Sequence, residues 1–392
     1  MFAIPLIFSL PHRLYYAIII VSIIMEGAMK TSVRKAYIDN LRWAILLILI
    51  PYHTAMAWNS WAEPNYIYFE KNRLISSIIV FFSPYFMPLL FLLAGISTRY
   101  ALRKRTGKQY LCERAKRLLL PLLFGTVVLM PIMTYLADRF NSSYDGSFFG
   151  HYAVFFTRFT DLTGADGGFS FGQFWFCLYL FVISAICVGV LRLIKHRSDG
   201  EPKALPLWAV ILLGLPLPIL SEILSVGGKS LAEYTYIFLL GYFIFSSDKT
   251  IDKVEKYRHP LLAVGLLATI ANVYLFLWCD KDLSLLNTAT KYISEWFMVL
   301  SLIGVAKRHL NFSGKVSGYM SHRSFLFYIW HFIWVVLFQY LLYKWAGNNT
   351  PLLFFGTISA SYIATFLCCE ICVRIPFLCL LTGTKYISKK QG

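Results

Sequence analysis

Charge is scarce in this sequence. Asp, Glu, Lys and Arg together make up 15% of its 392 residues and hydrophobic residues 58%, whereas an ordinary soluble domain is about a quarter charged. Long apolar runs alternate with short polar stretches throughout, and no stretch is polar and long enough to make a separate soluble domain. The glycine pattern of a P-loop or a Rossmann turn is missing, as are GxSxG and any metal-spaced His/Cys cluster. Chemistry, if there is any, must be built from side chains on helices, with no metal and no permanently bound cofactor expected. The eight cysteines lie mostly inside apolar runs and imply no disulfide framework; Cys369 and Cys372, a CxxC on an apolar helix, read as packing residues. No small-residue cleavage site follows the apolar stretch 14–25, which argues against a signal peptide. Internal repeats and low-complexity tracts are also lacking.

What is there is a succession of apolar runs close to the ~20 residues that cross a bilayer. They lie at 41–60, 74–98, 118–136, 173–191, 205–225, 232–247, 260–279, 291–306, 324–343 and 351–373. The formal charge of +17 is unevenly placed between them. Of the 37 Lys and Arg, 29 fall in the first, third and alternate later polar segments, including both termini, and 8 in the others. The positive-inside rule makes the first set cytoplasmic. The reading is an all-α polytopic membrane protein of about ten helices with both termini in the cytoplasm. The basic balance is then a topology signal, and nucleic acid need not be invoked. Residues 1–28 read as an extra segment, an interfacial helix or a start-site extension, because MKTSVRKAYIDNLRW from Met29 looks like a natural beginning. Residues 29–392 read as one membrane domain.

The first span, YIDNLRWAILLILIPYHTAMAW, is the most informative. Ionisable side chains are costly inside a bilayer and usually face the protein interior or a water-filled cavity. His53 lies eleven residues beyond Arg42, about 20° from the same angular position, so both share one helix face, and ~16 Å further along the axis. Asp39 falls about 40° off that face. Pro51 should kink the helix just before His53 and free backbone carbonyls that need partners. A histidine at this depth is a candidate general base, since its ordinary pKa is near neutrality; the bland alternative is a helix-packing hydrogen bond. The segment 99–117, RYALRKRTGKQYLCERAKR, reads as a cytoplasmic loop with eight Lys or Arg. Its arginines, Arg114 and Arg117 above all, suit either anionic lipid or a polyphosphate, whose oxygens match guanidinium forks. The outer loop 137–172 mixes aromatics with Asn141, Asp145, Asp161 and Asp166, a composition suited to sugars. His331, with Ser324 and Tyr328 on nearly the same face, reads as a polar packing cluster or a substrate contact. Glu370 and Arg374 read as a structural i, i+4 pair, and Glu222 and Glu295 are ambiguous.

At this point the sequence resembles the membrane acyltransferase-3 family, most of all its branch of bacterial glucan succinyltransferases. Four blocks in family order carry the resemblance: Asp39, Leu41 and Arg42 leading to His53 in IPYH; FLLAG at 91–95 with the basic stretch ending Arg114-x-x-Arg117 and LLLP; FWF at 174–176; and Ser324…Tyr328…His331 with RIPFL at 374–378. Ala94 departs from the pattern, which usually has serine before the glycine. The resemblance implies transfer of an acyl group, succinyl or acetyl, from cytoplasmic acyl-CoA as co-substrate to a hydroxyl of an extracytoplasmic glycan, at a bacterial inner membrane. It implies His53 as catalytic base or acyl relay supported by Arg42, with Arg114 and Arg117 near the CoA entrance. Asp39, His331 and Trp175 complete the candidate substrate-binding set. The rival class is a secondary transporter of an anionic metabolite or glycan, against which stands the lack of an inverted repeat or paired broken helices. The oligomeric state is open.

Overall fold

The apolar run around Arg42 and His53 forms helix α1 (Ala36–Ala55), which closes in a 3-10 turn at Met56–Trp58. It is seen in a computed structural model that describes residues 35–386, apart from 64, 163–167, 196–199, 201 and 203. The segment 1–28, read above as an extension, lies outside the described residues. The described residues from 37 onward pack as one unit, built almost entirely of helices.

Helix α2 (Arg73–Leu102) is capped by Asn72, whose side chain accepts from the Ile75 amide at 3.1 Å. A 30-residue helix is about 45 Å long, which exceeds the ~30 Å hydrocarbon core. Its last turn already contains Arg99, and α3 (Gly107–Phe124) begins only a few residues later. The cytoplasmic loop expected at 99–117 is therefore a correction: it is the turn of a helical hairpin, with Arg114 and Arg117 on α3. The cause is local. Thr106 and Gln109 form a capping box, the Thr106 side chain accepting from the Gln109 amide at 3.3 Å and the Gln109 side chain accepting from the Thr106 amide at 3.0 Å. Such a reciprocal cap starts a helix whatever the charge of the residues that follow.

Helix α3 runs through a π turn at Gly125–Leu129 into α4 (Met130–Asn141). The Phe174 ring lies where a Cβ on Gly125 would sit, so the widened turn and the missing side chain together admit it. The segment that follows holds α5 (Phe148–Thr157) and a two-stranded pairing of β1 (Phe159–Leu162) with β2 (Phe169–Ser170). Asp138 ties this segment to α4. Its buried carboxylate takes the His151 ring Nε2 at 2.8 Å and the Arg158 guanidinium at 2.9 and 3.1 Å.

Helix α6 (Trp175–Leu193) is, with the turn before it, long and apolar enough to cross a membrane. The run 205–225, expected to be one span, folds as two short helices, α7 (Leu207–Leu212) and α8 (Leu217–Leu220). Gly214, Pro216 and Pro218 interrupt it, since proline removes an amide donor and clashes with the preceding turn. A small hairpin of β3 (Ser225–Val226) and β4 (Lys229–Ser230) leads into the short α9 (Leu231–Phe243). Then come α10 (Asp248–Lys256), α11 (Arg258–Leu277), α12 (Ser284–His309), α13 (Lys315–Ala346), α14 (Thr350–Cys372) and α15 (Pro376–Leu381). Among the described residues, seven helices are long and apolar enough to cross a membrane. The protein is a helical, multi-pass membrane protein.

The most extensive pairings are α11 with α12, α2 with α9, and α13 with α14. Helices α2 and α9 touch backbone to backbone. A Cβ on Gly95 would collide with the Phe238 carbonyl, and one on Gly241 with the Leu92 carbonyl. This is the small-residue packing that lets membrane helices gain van der Waals contact without a hydrophobic drive between them. The glycine of FLLAG is thus a packing requirement.

Candidate active site

Pro51 lies inside α1 and has no amide hydrogen, so the carbonyl of Leu47, four residues earlier, loses its helical donor. The Tyr362 hydroxyl on α14 donates to it at 2.6 Å. Just beyond, the Thr54 carbonyl accepts from Gln339 Nε2 on α13 at 3.1 Å. The interrupted turn is thereby held from both sides, and His53 sits between these two anchors.

The His53 ring stacks on Phe332 (centroids 3.9 Å apart, planes 24°) and meets Tyr52 edge-on at 5.3 Å. His331, from the far end of the chain, brings its ring to 5.3 Å from that of His53. His331 is fully buried, and its Nδ1–H donates to the Tyr328 carbonyl at 2.8 Å. Two ring nitrogens are left over: His53 Nδ1 and His331 Nε2 are both buried and have no hydrogen-bond partner. Tyr52 hydrogen-bonds Ser83 at 2.9 Å and packs against Phe86. The two histidines thus share an aromatic surrounding.

Arg42 is elsewhere. Its guanidinium donates to Asp39 Oδ1 and to Ser97 Oγ, each at 3.0 Å, and does not bond His53. Arg114 and Arg117 lie close enough to interact electrostatically with it. Arg114 is half-buried, donating from Nε to the Tyr110 hydroxyl at 2.9 Å with its guanidinium 5.1 Å from that ring's centre; Arg117 is exposed. Three guanidinium groups therefore gather at one end of α1, with Asp39 acting on Arg42 and Glu113 on Arg117, a net positive arrangement suited to a polyanion.

Trp175 belongs to a third group. It stacks on Tyr234 (5.7 Å), which stacks in turn on Phe91 (4.5 Å), and the Lys229 ammonium lies 5.6 Å from the Trp175 ring centre. No ring contact joins Trp175 to either histidine among the described residues. Phe176, its neighbour, touches Tyr328 at 5.7 Å and so connects this column to the His331 helix.

The structure brings His53 and His331 together, gathers Asp39, Arg42, Arg114 and Arg117, and keeps Trp175 apart from both sets. Ser97 and Tyr110 as arginine partners, Phe332 as the platform for His53, and Tyr362 as the donor that covers the proline defect were not identified from sequence. Only Phe332, adjacent to His331, had a signal that could have found it. Glu295 turns out to be buried within hydrogen-bonding reach of the Glu233 carboxyl, and Glu370 is an ion-pair partner of both Arg323 and Arg374. No group of three or more His, Cys, Asp or Glu among the described residues could hold a metal ion.

A family described as an acyltransferase domain, acyltransferase-3, matches residues 35–370. The chain belongs to the acyltransferase-3 family. It is an acyltransferase. Glucans biosynthesis protein C of Shigella boydii serotype 4 (strain Sb227) is 23% identical to it over 404 residues, covering 92% of this chain and 97% of the relative. The protein of the same name from Escherichia coli (strain SMS-3-5 / SECEC) is 24% identical over the same shares. No solved structure gives a significant match.

Proposed function

We propose that this protein moves an acyl group, succinyl or acetyl, from cytoplasmic acyl-CoA to a hydroxyl of an extracytoplasmic glycan. The observation that carries the reading is the placement of His53. It stands beside His331 at the proline defect of α1, one end of the same helix holding an arginine cluster about 16 Å away. The CoA phosphates are assigned to Arg42, Arg114 and Arg117, and the thioester to the His53 side. The acceptor oxygen attacks the thioester carbonyl carbon while His53 takes its proton. The carbon–sulfur bond then breaks, and the departing thiolate receives that proton, giving an ester and free CoA. General-base assistance of this kind contributes roughly 10²–10⁴-fold in rate.

The names of the relatives support a glucan as acceptor. The succession of apolar runs supports about ten crossings of a bacterial inner membrane, the one at 205–225 broken at its prolines, and the charge asymmetry supports both termini cytoplasmic and the residue 137–172 segment outside. Purified protein supplied with succinyl- or acetyl-CoA and a glucan should release thiol and produce acylated glucan. In His53→Gln, which cannot take up a proton at neutral pH, both products should vanish while the protein stays folded. Full turnover in a well-folded His53→Gln protein removes His53 from the chemistry. A wild-type protein that releases no CoA but acylates glucan from another donor overturns the assignment of acyl-CoA.

A further inference from the structure

A histidine that works as a general base needs one nitrogen free to receive the proton and something to hold the other. In hydrolytic triads that second partner is a carboxylate, which fixes the tautomer and steadies the charge that forms. Here none is at hand: among the described residues, no carboxylate acts on His53 or His331, and His331 is the one titratable side chain acting on His53. The hydrogen bond from His331 Nδ1–H to the Tyr328 carbonyl, 2.8 Å long, has a consequence for the other nitrogen. A neutral imidazole carries one N–H, so Nε2 of His331 bears a lone pair. That lone pair is buried and unpartnered, and so is Nδ1 of His53, on a ring whose centroid is 5.3 Å away. His331 is fully buried and His53 partly exposed, so of the two rings His53 is the more accessible.

We propose that His331 is the positioning residue for His53: its Nε2 accepts from His53 Nδ1–H and so leaves the lone pair of the catalytic ring on Nε2, facing the substrate. A small slide of the His53 ring along the face of Phe332 closes this contact. Tyr328 anchors His331 through its carbonyl, and the Tyr328 hydroxyl is itself tied to the Gln173 carbonyl, so the relay is braced from the start of α6. When His53 takes the acceptor's proton on Nε2, the positive charge that forms is shared across the hydrogen bond to His331. The inference rests on the reading of His53 as base.

The test compares His331→Phe with His331→Gln in the same thiol-release assay. Phenylalanine fits the surroundings, since His331 already stacks with Phe327 and Phe332, but it has no acceptor. Glutamine keeps a carbonyl oxygen that can accept at the depth of the His331 Nε2 and is a poor packing match. Positioning predicts kcat down by roughly 10²-fold in His331→Phe with KM for acyl-CoA unchanged, less than the ~10⁴-fold that follows loss of the carboxylate's charge in a triad. It also predicts that His331→Gln recovers most of the kcat. A packing role predicts the reverse order, with His331→Phe as active as the parent; that result sinks the proposal, as does a loss confined to KM. Circular dichroism and gel filtration of both variants establish that the comparison is between folded proteins. If His331→Phe is fully active while His53→Gln is dead, this inference alone falls; if His53→Gln is fully active, the reading beneath it falls as well.

Discussion

The Tyr362 hydroxyl donates to the Leu47 carbonyl at 2.6 Å, and Leu47 is the residue whose helical partner Pro51 cannot be. The defect that sets up the His53 region is therefore completed by a side chain from the last long helix. Hydrogen bonds between membrane helices are worth about 0.6 kcal/mol on average and up to about 1.7. A carbonyl left bare in hydrocarbon should place Tyr362→Phe toward the upper end. We expect a lower unfolding midpoint in detergent together with reduced kcat, because the turn carrying His53 loosens. A variant with unchanged stability and turnover would show that the Leu47 carbonyl finds another donor.

Gly95 should tolerate no side chain. In Gly95→Ala the new methyl meets the Phe238 carbonyl, a rigid backbone atom, so α2 and α9 must separate. Overpacking of this kind costs typically ~1–3 kcal/mol. Gly189 on α6 has nothing within 4 Å of its notional Cβ, and alanine there should be neutral or stabilising by up to about 1 kcal/mol. Thermal unfolding of the two variants side by side checks the contrast; equal midpoints would remove the close-packing account.

Arg114 and Arg117 should set the affinity for acyl-CoA. Loss of a hydrogen bond to a charged group costs ~1.5–3 kcal/mol, so the double change to Gln should raise the KM for acyl-CoA by at least about tenfold with the protein still folded. Lysine should restore little, since it offers a point charge in place of a fork. An unchanged KM would assign these arginines to orientation in the membrane alone.

Topology is open to direct measurement. Reporter fusions after residues 110, 198, 254 and 315 should report cytoplasm, and fusions near 65, 150 and 285 the outside. A cytoplasmic signal from the residue 137–172 segment would reverse the side on which the glycan is approached.

Much of this protein was legible in one dimension because a membrane imposes a one-dimensional rule. A span must be apolar for its length, and the loops between spans sort their charge by side. For that reason the membrane class could be read from the apolar runs along the whole chain, and the shared face of Arg42 and His53 and the need of the Pro51 turn for partners from residues 36–55. Other features were written locally but masked: Thr106 and Gln109 announce a helix start inside what the charges made look like a loop, and Gly214, Pro216 and Pro218 break what hydropathy alone joins. What no local pattern holds is partnership across the chain. His331 meets His53, Ser97 takes a hand of Arg42, and Tyr362 covers Leu47, in each case between helices far apart in sequence. Such contacts depend on which helix faces pack together, and that is decided by backbone approaches like Gly95 against Phe238. Composition and periodicity carry no record of them, so only the tertiary structure could decide them.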